Sequence, residues 1–433
     1  MKIQIDRPEF LKNWQLAERS CNTKSALNAI NGILITTGQE GESAILEATD
    51  FKVALRCPAE GVEVLSPGSA ILPLRPLGEL LKKIPSNTVT LEVKDEKGTL
   101  VAGRNKTRFT TWPVADFPSI PRSDSAQEIC SVLAADLNKI IIEGSIAGST
   151  VADFPKYLGA CFLQVQAGQL CLASTDGRRL SLARCSCEPS FEAEVLLPVA
   201  ALRELTRLLA TAPPEAKVKI LCDGSLAWFR IEALDFSVRR VESSFPNYEQ
   251  LLTSNRTTSL LILRSDLLSA LERLEIIVRS YTRLVVLTLS PGGQLKMTGR
   301  APEFGTSLEV LDASIDGEPL QIGFNVNYLQ DGLKAIGSDE VTLYFNGEEG
   351  QMRLTRDDKK DFLYMLMPSR VTEQDLLELE EELDSTPEIS EDSGDLGEVE
   401  VPERSIEPEE GGTGPDDPDE LVLSAQDDDA SAF

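Results

Sequence analysis

The sequence predicts an α+β protein in which one unit of antiparallel sheets and two helices occurs three times in tandem, followed by an acidic tail. Three observations support this fold class: a recurring strand–helix–strand segment, a recurring short sequence marker, and an amphipathic helix near the start of each unit. Because each unit has few helices and many short strands, we expect its helices to cover one face of antiparallel sheets.

The strand–helix–strand segment is the longest of these signals. In each copy an apolar strand runs into a helix with apolar residues at i, i+3, i+4 and i+7, and an alternating strand follows. Pro73, Pro198 and Asn325 hold the same place in the three copies. The copies are AILPLRPLGELLKKIPSNTVTLEV (70–93), VLLPVAALRELTRLLATAPPEAKVKIL (195–221) and IGFNVNYLQDGLKAIGSDEVTLYF (322–345).

The other two signals repeat in the same register. The sequence markers LEATDFKVAL (46–55), LASTDGRRLSLA (172–183) and LKMTGRAPE (295–303) correspond to one another. The first helix of each unit is expected at residues 8–19, 135–146 and 265–276, with Asp136 and Asp266 as N-caps. Together the signals predict three domains and a tail, at residues 1–122, 128–253, 254–371 and 372–433.

The charge is concentrated in the tail. The 433 residues contain 42 Lys and Arg against 70 Asp and Glu, a formal net charge of −28. Residues 372–433 hold 24 of the acids and one base, Arg404, so residues 1–371 carry only −5. Because the tail is rich in Glu, Asp, Pro, Gly and Ser and poor in aromatics, we expect it to be disordered, with at most a transient helix in TEQDLLELEEELDS.

Composition also limits the chemistry. The chain has no histidine, which excludes Ser-His-Asp and Cys-His catalysis and zinc–histidine sites. The eight cysteines form no CxxC pair, and neither GxGxxG before a helix nor GxxxxGK[ST] occurs, so we expect reduced thiols, no metal and no cofactor. The N-terminal MKIQIDRPEF has no apolar signal core, and no stretch approaches 18 apolar residues, which indicates a cytoplasmic protein.

The predicted helices carry bases at polar positions, and these allow two interpretations. They are either ordinary solvated helix faces, or contacts for the phosphates of duplex DNA. If three units join in an arc with their helices on one side, two chains can close a ring around DNA. The bases are Lys12, Arg19, Lys82, Lys83, Lys139, Arg203, Arg207, Arg273, Arg279 and Lys334, with Lys24 and Arg75 just outside helices.

Several short motifs give the first 371 residues a resemblance to a known family. They are TDGRRL (175–180), VADFP (114–118), FPNY (245–248), IGFNVNYL (322–329) and MPSR (367–370). Together with the triplication, the order and spacing of these motifs along the chain resemble those of the bacterial sliding clamp, the beta subunit of DNA polymerase III. The resemblance implies a head-to-tail homodimeric ring, with its helices facing the lumen and no catalytic activity of its own.

The resemblance also implies a function. Clamps encircle double-stranded DNA without reading its sequence, and they tether the replicative polymerase as processivity factors. The expected partners are the alpha subunit of DNA polymerase III, the clamp loader and other proteins that carry clamp-binding peptides, with no membrane partner. Tethering of this kind keeps the polymerase at a high effective concentration near the primer end.

In the family a partner peptide enters a pocket between the second and third domains. Leucine, proline and methionine side chains offer it an adaptable apolar cleft, and arginines can engage polar groups of the peptide. By resemblance the pocket residues are Leu158, Thr175, Gly177, Arg178, Arg179, Leu180, Pro246, Gln250, Leu251, Tyr328, Gln351, Met365, Met367, Pro368, Ser369 and Arg370.

Some of these positions differ from those of familiar members. Ser369 stands where a methionine is often found, Gln250 where an arginine occurs and Arg178 where a histidine occurs, so the preferred peptide is expected to differ. Judged from the sequence without the resemblance, Arg178 and Arg179 belong to a surface turn.

The resemblance assigns two further surfaces. Lys24, Arg75, Arg203 and Arg207 are the expected DNA contacts. Phe109, Ile276 and Ile277 are the expected apolar centre of the dimer interface, with the alternative that Ile276 and Ile277 are ordinary core.

Two questions stay open from the sequence. One is function: the alternatives to a replication clamp are a clamp-like scaffold for another process, and an enzyme using carboxylates or lysines on a similar fold. The other is the tail, which is either a solubilising segment, a DNA mimic competing for the lumen, or a segment that visits its own pocket through Gln374 and Leu377.

Overall fold

The computed structural model describes residues 1–21, 25–38, 43–151, 154–252, 256–291, 293–356 and 359–372. The acidic tail expected at 372–433 therefore lies, beyond Thr372, outside the described residues. Within the described part the same order of elements occurs three times: a strand, a helix, five strands, a second helix and three strands. The predicted triplication and the α+β class are confirmed.

The elements have the following bounds. The first repeat contains β1 (Lys2–Asp6), α1 (Arg7–Glu18), β2 (Gly32–Thr37), β3 (Ile45–Thr49), β4 (Val53–Pro58), β5 (Val62–Ser66), β6 (Gly68–Pro73), α2 (Leu74–Lys83), β7 (Thr88–Lys94), β8 (Lys97–Ala102) and β9 (Asn105–Thr110). The second contains β10 (Gln127–Leu133), α3 (Ala134–Gly144), β11 (Ala160–Gln166), β12 (Gln169–Thr175), β13 (Arg179–Ser186), β14 (Glu188–Pro189), β15 (Ala193–Pro198), α4 (Val199–Leu209), β16 (Lys217–Cys222), β17 (Leu226–Ile231) and β18 (Leu234–Arg239). The third contains β19 (Thr258–Leu263), α5 (Arg264–Val278), β20 (Leu284–Ser290), β21 (Gln294–Ala301), β22 (Gly305–Asp312), β23 (Ser314–Gly317), β24 (Leu320–Asn325), α6 (Val326–Ile336), β25 (Glu340–Phe345), β26 (Met352–Arg356) and β27 (Lys359–Leu366).

Each second helix begins directly at the end of a strand. Pro73, Pro198 and Asn325 are the N-caps of α2, α4 and α6, in the equivalent places that the sequence indicated. The fixed φ of proline suits the extended backbone that an N-cap requires. Asn325 uses its side chain instead, since its Oδ1 accepts a hydrogen bond from the backbone N–H of Asn327 at 3.0 Å.

The predicted N-caps Asp136 and Asp266 are wrong. The N-caps of α3 and α5 are Leu133 and Leu263, the last residues of the preceding strands, and neither makes a side-chain cap hydrogen bond. Because strand and helix follow without a loop, the cap position falls on an apolar strand residue. The two aspartates lie in the first helical turn, where a negative charge complements the helix dipole.

The sheets join the repeats. Two nine-stranded antiparallel sheets are present among the described residues, in the orders β14-β10-β16-β17-β18-β4-β3-β2-β6 and β15-β11-β12-β13-β27-β26-β25-β19-β23. The first joins repeats one and two through β18 and β4, and the second joins repeats two and three through β13 and β27. Main-chain hydrogen bonds therefore cross both boundaries.

Two smaller sheets lie at the two ends of this arrangement. Their orders among the described residues are β5-β1-β7-β8-β9 in the first repeat and β22-β21-β20-β24 in the third. In these sheets β9 and β22 each have a single neighbouring strand within the described part of the chain. Each end of the protein therefore presents an edge strand to solvent.

The helices form one continuous layer against the sheets. The two helices of each repeat pack together, and α3 also packs on α6. The first two repeats are linked where the Arg19 guanidinium donates a hydrogen bond to the Arg207 backbone oxygen at 2.9 Å. One apolar core extends through repeats one and two, and a second fills repeat three. The predicted placement of the helices on one side of the sheets is confirmed.

Candidate functional site

The most distinctive surface lies where β13 meets β27. Leu180 and Met365 are directly opposite each other across this boundary, and each is only 4% exposed. With Cys171, Leu182 and Tyr248 they form an apolar cluster that is separate from the two main cores. Opposed side chains on one face of a sheet pack together, so this pair forms a floor that both repeats contribute to.

Exposed apolar side chains surround this floor. Leu251 is 53% exposed and Met367 is 48% exposed. The backbone N–H of Met367 donates to the Arg178 carbonyl at 2.8 Å, and that of Ser369 donates to the Gly323 carbonyl at 2.8 Å. These bonds fix the MPSR segment beside the floor. Large apolar side chains left in water beside an apolar cluster are typical of a docking surface.

The TDGRR turn has a specific backbone geometry. The Thr175 hydroxyl donates to the Arg179 carbonyl at 2.7 Å and accepts from the Gly177 N–H at 3.1 Å. Asp176 Oδ1 accepts from the N–H groups of Arg178 and Arg179. Gly177 has φ = +86°, a left-handed conformation that disfavours any side chain. The glycine is therefore required by the turn itself.

Arg179 is held between the second and third repeats. Its guanidinium bonds Asp176 at 2.9 Å, Asp331 at 2.6 Å and the Tyr364 hydroxyl at 3.3 Å. It also lies over the Tyr328 ring, 4.2 Å from the centroid. The sequence suggested that Arg179 engages a peptide, or lies in a surface turn. The structure gives Arg179 charge partners within the chain, whereas the neighbouring Arg178 is exposed. A peptide contact of Arg179 stays a prediction.

We expect Arg179→Ala to lower the free energy of unfolding by about 1.5–3 kcal/mol, because it removes charge-assisted hydrogen bonds that cross between repeats. The matched variant Arg178→Ala removes an exposed arginine from the same turn, and a loss below about 0.5 kcal/mol is expected. Urea unfolding of both variants measures the difference. Equal stability of the two variants would contradict this assignment.

The remaining predicted pocket residues lie on several elements of the second and third repeats. Leu158 and Tyr328 are half-buried, while Pro246 and Gln250 lie exposed on the segment that carries Tyr248. Of the others, Gln351, Pro368 and Ser369 are half-buried and Arg370 is exposed. Their use as a single peptide site stays a prediction.

Sequence reasoning missed an aromatic cluster beside the floor. Phe162 stacks on Phe245 with ring centroids 5.2 Å apart, and Tyr157 and Tyr248 pack edge-on against Phe245. These rings support residues 245–252, next to a cleft of about 500 Å³. The alternation of β11 was the available signal, since Phe162 falls on the opposite face from its buried neighbours Cys161 and Leu163.

The helix layer is less basic than the sequence suggested. Its six helical segments contain eleven Lys and Arg and ten Asp and Glu. Several bases are paired, as in Lys82–Glu18, Lys139–Asp361 and Lys334–Glu272. The excess of bases is found in α2 and α4, which together hold five bases and two acids.

The expected DNA contacts lie mainly on these two helices. Arg75 is exposed in the first turn of α2, and Arg203 and Arg207 are exposed on α4. Arg207 also forms an ion pair with Glu204 at 2.5 Å, and the carboxylate partly neutralises the charge of the guanidinium. Lys24 lies outside the described residues.

The expected dimer residues lie beside the two edge strands. Phe109 is half-buried on β9, and its ring covers Gly98, where an added Cβ would lie 2.2 Å from the ring. Ile276 on α5 is 59% exposed, whereas Ile277 is half-buried against the third core. The two isoleucines thus differ: Ile276 is a surface residue and Ile277 partly belongs to the core.

Two properties of the described residues bear on other functions. No cluster of three or more Cys, Asp or Glu in these residues is arranged to hold a metal ion. No helix among them has the length and the apolar composition needed to cross a bilayer. All eight cysteines are free thiols, and Cys57, Cys130, Cys161 and Cys171 are buried.

Family profiles match nearly all of the described chain. They are the N-terminal domain of the DNA polymerase III beta subunit at residues 1–121, its central domain at 132–247 and its C-terminal domain at 249–370. The beta sliding clamp of Pseudomonas putida is 28% identical over 376 residues, which cover 86% of this chain and 100% of that protein. That of Synechococcus elongatus is 26% identical over 373 residues, covering 85% and 99%.

Solved structures agree with these relatives. The Pseudomonas aeruginosa sliding clamp bound to griselimycin superposes with a TM-score of 0.80 at 27% identity, covering 86% of this chain and 100% of that one. The Bacillus subtilis sliding clamp has the same fold, with a TM-score of 0.81 at 20% identity and the same coverage.

Fold, floor and edge strands together define a class: a non-catalytic clamp subunit of three tandem domains. The chain belongs to the DNA polymerase III beta subunit family, the beta sliding clamps. The resemblance stated from the sequence is confirmed. The family match ends at residue 370, and the match that takes in 100% of the Pseudomonas putida protein takes in only 86% of this chain.

Proposed function

We propose that two copies of this chain form a head-to-tail ring around duplex DNA and act as the processivity factor of the DNA polymerase III holoenzyme. The observation that carries the proposal is the continuous layer of six helices on one side of sheets that span all three repeats. Such a layer offers a single surface to the duplex, with contacts to phosphates that do not depend on sequence.

The two edge strands support a head-to-tail pairing. The β9 edge carries Lys106 and Arg108 and no acid, while the β22 edge carries Asp312 and Glu309 and no base, with Glu309 paired to Arg273 of α5 at 2.5 Å. Opposite charges on facing edges favour the contact between unlike ends and disfavour the contact between like ends. We therefore propose that β9 of one chain faces β22 of the other, with Phe109, Ile276 and Ile277 beside the seam.

The near-neutral helix layer suits sliding. Because five of its eleven bases are ion-paired within the described residues, the layer carries little net charge, and closure of the ring rather than tight binding retains the DNA. Arg75 and Arg203, for which the structure shows no ion pair within the described residues, are proposed as DNA contacts, together with Arg207 and with Lys24.

We propose that the Leu180–Met365 floor receives the linear peptides of the polymerase alpha subunit, the clamp loader and other partners. The apolar floor, the exposed Leu251 and Met367 and the adaptable methionine side chains support this use. The sixteen residues predicted from the sequence are proposed as its lining. We also propose three domains, with boundaries at 1–122, 128–253 and 254–371. A cytoplasmic location is proposed as well, and the eight free thiols support it.

Retention on DNA tests the ring. After loading onto a nicked circular plasmid by a clamp loader with ATP, we expect the labelled protein to stay bound through gel filtration. Cutting the plasmid once should release it within the time of the column, because a ring slides off free ends. Blocking both ends with biotin and streptavidin should restore retention. Equal retention on circular and on open linear DNA would contradict encirclement.

A further inference from the structure

A small basic cavity lies on the outer face of the second nine-stranded sheet. Its volume is about 250 Å³, and Arg256, Tyr344, Arg353 and Leu363 line it. The Arg256 guanidinium lies over the Tyr344 ring, 5.3 Å from the centroid. Burial lowers the pKa of Arg353, which means that its charged form has lost part of its hydration. Two arginines at one cavity favour an anionic occupant.

Strand register places this cavity next to the peptide floor. Leu180 is opposite Met365, Met365 is opposite Arg353, and Arg353 is opposite Tyr344. Directly opposed residues point to the same face, so the four side chains form one row across the sheet. Leu363, two residues before Met365, lies on that face and lines the cavity. The row spans three strand spacings, about 14 Å.

The row therefore changes character along its length. It begins with two apolar side chains and ends with two cationic ones beside an aromatic ring. A segment that binds along it must offer apolar side chains at one end and carboxylates at the other.

The chain itself contains such a segment directly after the described residues. Residues 373–385, EQDLLELEEELDS, hold four leucines, seven acids and no base. They follow Ser369, whose N–H is bonded to Gly323, so they leave the fold next to the floor. Thirteen residues span up to about 45 Å when extended, well beyond the length of the row even if the chain reverses direction.

We propose that residues 373–385 bind in cis along this row, with leucines on the Leu180–Met365 floor and carboxylates at Arg256 and Arg353. The inference rests on the proposal that the floor receives peptides. Because the segment is part of the same chain, its effective concentration at the floor is in the millimolar range. It competes with every partner peptide and sets a threshold affinity for access to the clamp.

The test uses a fluorescein-labelled synthetic peptide with the sequence of residues 373–385 and fluorescence anisotropy. Three chains are compared: the full chain, a chain ending at Ser385 and a chain ending at Thr372. The Pseudomonas aeruginosa clamp, matched over its full length by 86% of this chain, crystallises without such a segment, so the shortest chain is expected to fold. It should bind the peptide about tenfold or more tightly than the other two, whose own segment competes.

Arginine variants of the shortest chain test the basic end. Arg256→Gln and Arg353→Gln should each weaken binding about three- to tenfold, because each removes a charged partner of a carboxylate. Arg104→Gln, an exposed arginine in the turn between β8 and β9, is the matched control and should leave binding unchanged.

The outcomes separate this inference from the proposed function. Equal peptide affinity of the chains ending at Ser385 and Thr372, or equal binding by the two arginine variants and the control, would overturn the inference. Retention of the full chain on circular DNA does not depend on this peptide, so a failure of the ring would appear in that assay alone.

Discussion

Arg356→Met is expected to lower the free energy of unfolding by about 3–5 kcal/mol, since it leaves a buried carboxylate without its cation. The Arg356 guanidinium bonds Glu143 of α3 at 2.6 Å, Asp361 of β27 at 2.8 Å and the Ile336 carbonyl of α6 at 3.0 Å. The Arg356 and Glu143 side chains are only 12% and 7% exposed. Methionine keeps the length of the side chain, so the variant tests the charge.

The loss should depend on pH in a defined direction. Burial raises the pKa of Glu143, and Arg356 opposes this shift. Without Arg356 the folded-state pKa rises further above its unfolded value. A carboxyl with a raised folded pKa costs no stability below its unfolded pKa, and the cost appears as the pH rises through the folded pKa. Urea unfolding should therefore show a smaller deficit at about pH 5 than at about pH 8.

Two further variants make the test specific. Glu143→Gln alone leaves Arg356 paired with Asp361, so we expect a loss of only about 1–2 kcal/mol. Adding Glu143→Gln to Arg356→Met removes the stranded charge and should recover part of the lost stability. If the double variant is as unstable as Arg356→Met, or if the deficit does not change with pH, the buried charge is not its cause.

Ile276→Asp is expected to weaken the dimer by about 2–4 kcal/mol, roughly 30- to 900-fold in the dissociation constant. Ile276 is 59% exposed in the monomer, so the change places a charge at the proposed seam without entering the core. It also adds an acid beside the acidic β22 edge. Sedimentation velocity over a concentration series measures the dissociation constant.

The control for this variant is Leu65→Asp. Leu65 is 49% exposed on β5, the strand at the opposite edge of the five-stranded sheet from β9. It should leave the dissociation constant unchanged, and both variants should unfold at the same urea concentration as the natural chain. A dimer that survives Ile276→Asp with unchanged affinity would exclude this end of the chain as the seam.

Much of the fold could be predicted because it follows from local sequence patterns that occur three times. Apolar spacing located α2, α4 and α6 and the strands on either side of each. The N-caps of α3 and α5 could not be found in this way. They depend on a strand running without a loop into a helix, and this places leucine where local preference selects aspartate.

The site was predicted only in part because its residues act across the repeats. The resemblance identified Leu180 and Met365 as pocket residues, and the register of β13 against β27 explains why they lie side by side. It did not show that Arg179 forms an ion pair with Asp331, because these two residues are 152 positions apart in the chain. The near-neutral helix layer was missed for the same reason: a list of bases omits the acids that pair with them.

Sheets that run uninterrupted across the domain boundaries have a mechanical consequence. To bend the chain at the boundary of β18 and β4, or of β13 and β27, a force must shear a ladder of backbone hydrogen bonds. No covalent connection reinforces the proposed seam between two chains. A motor that opens the proposed ring should therefore separate the two subunits at this seam, and each protomer should move as a rigid body.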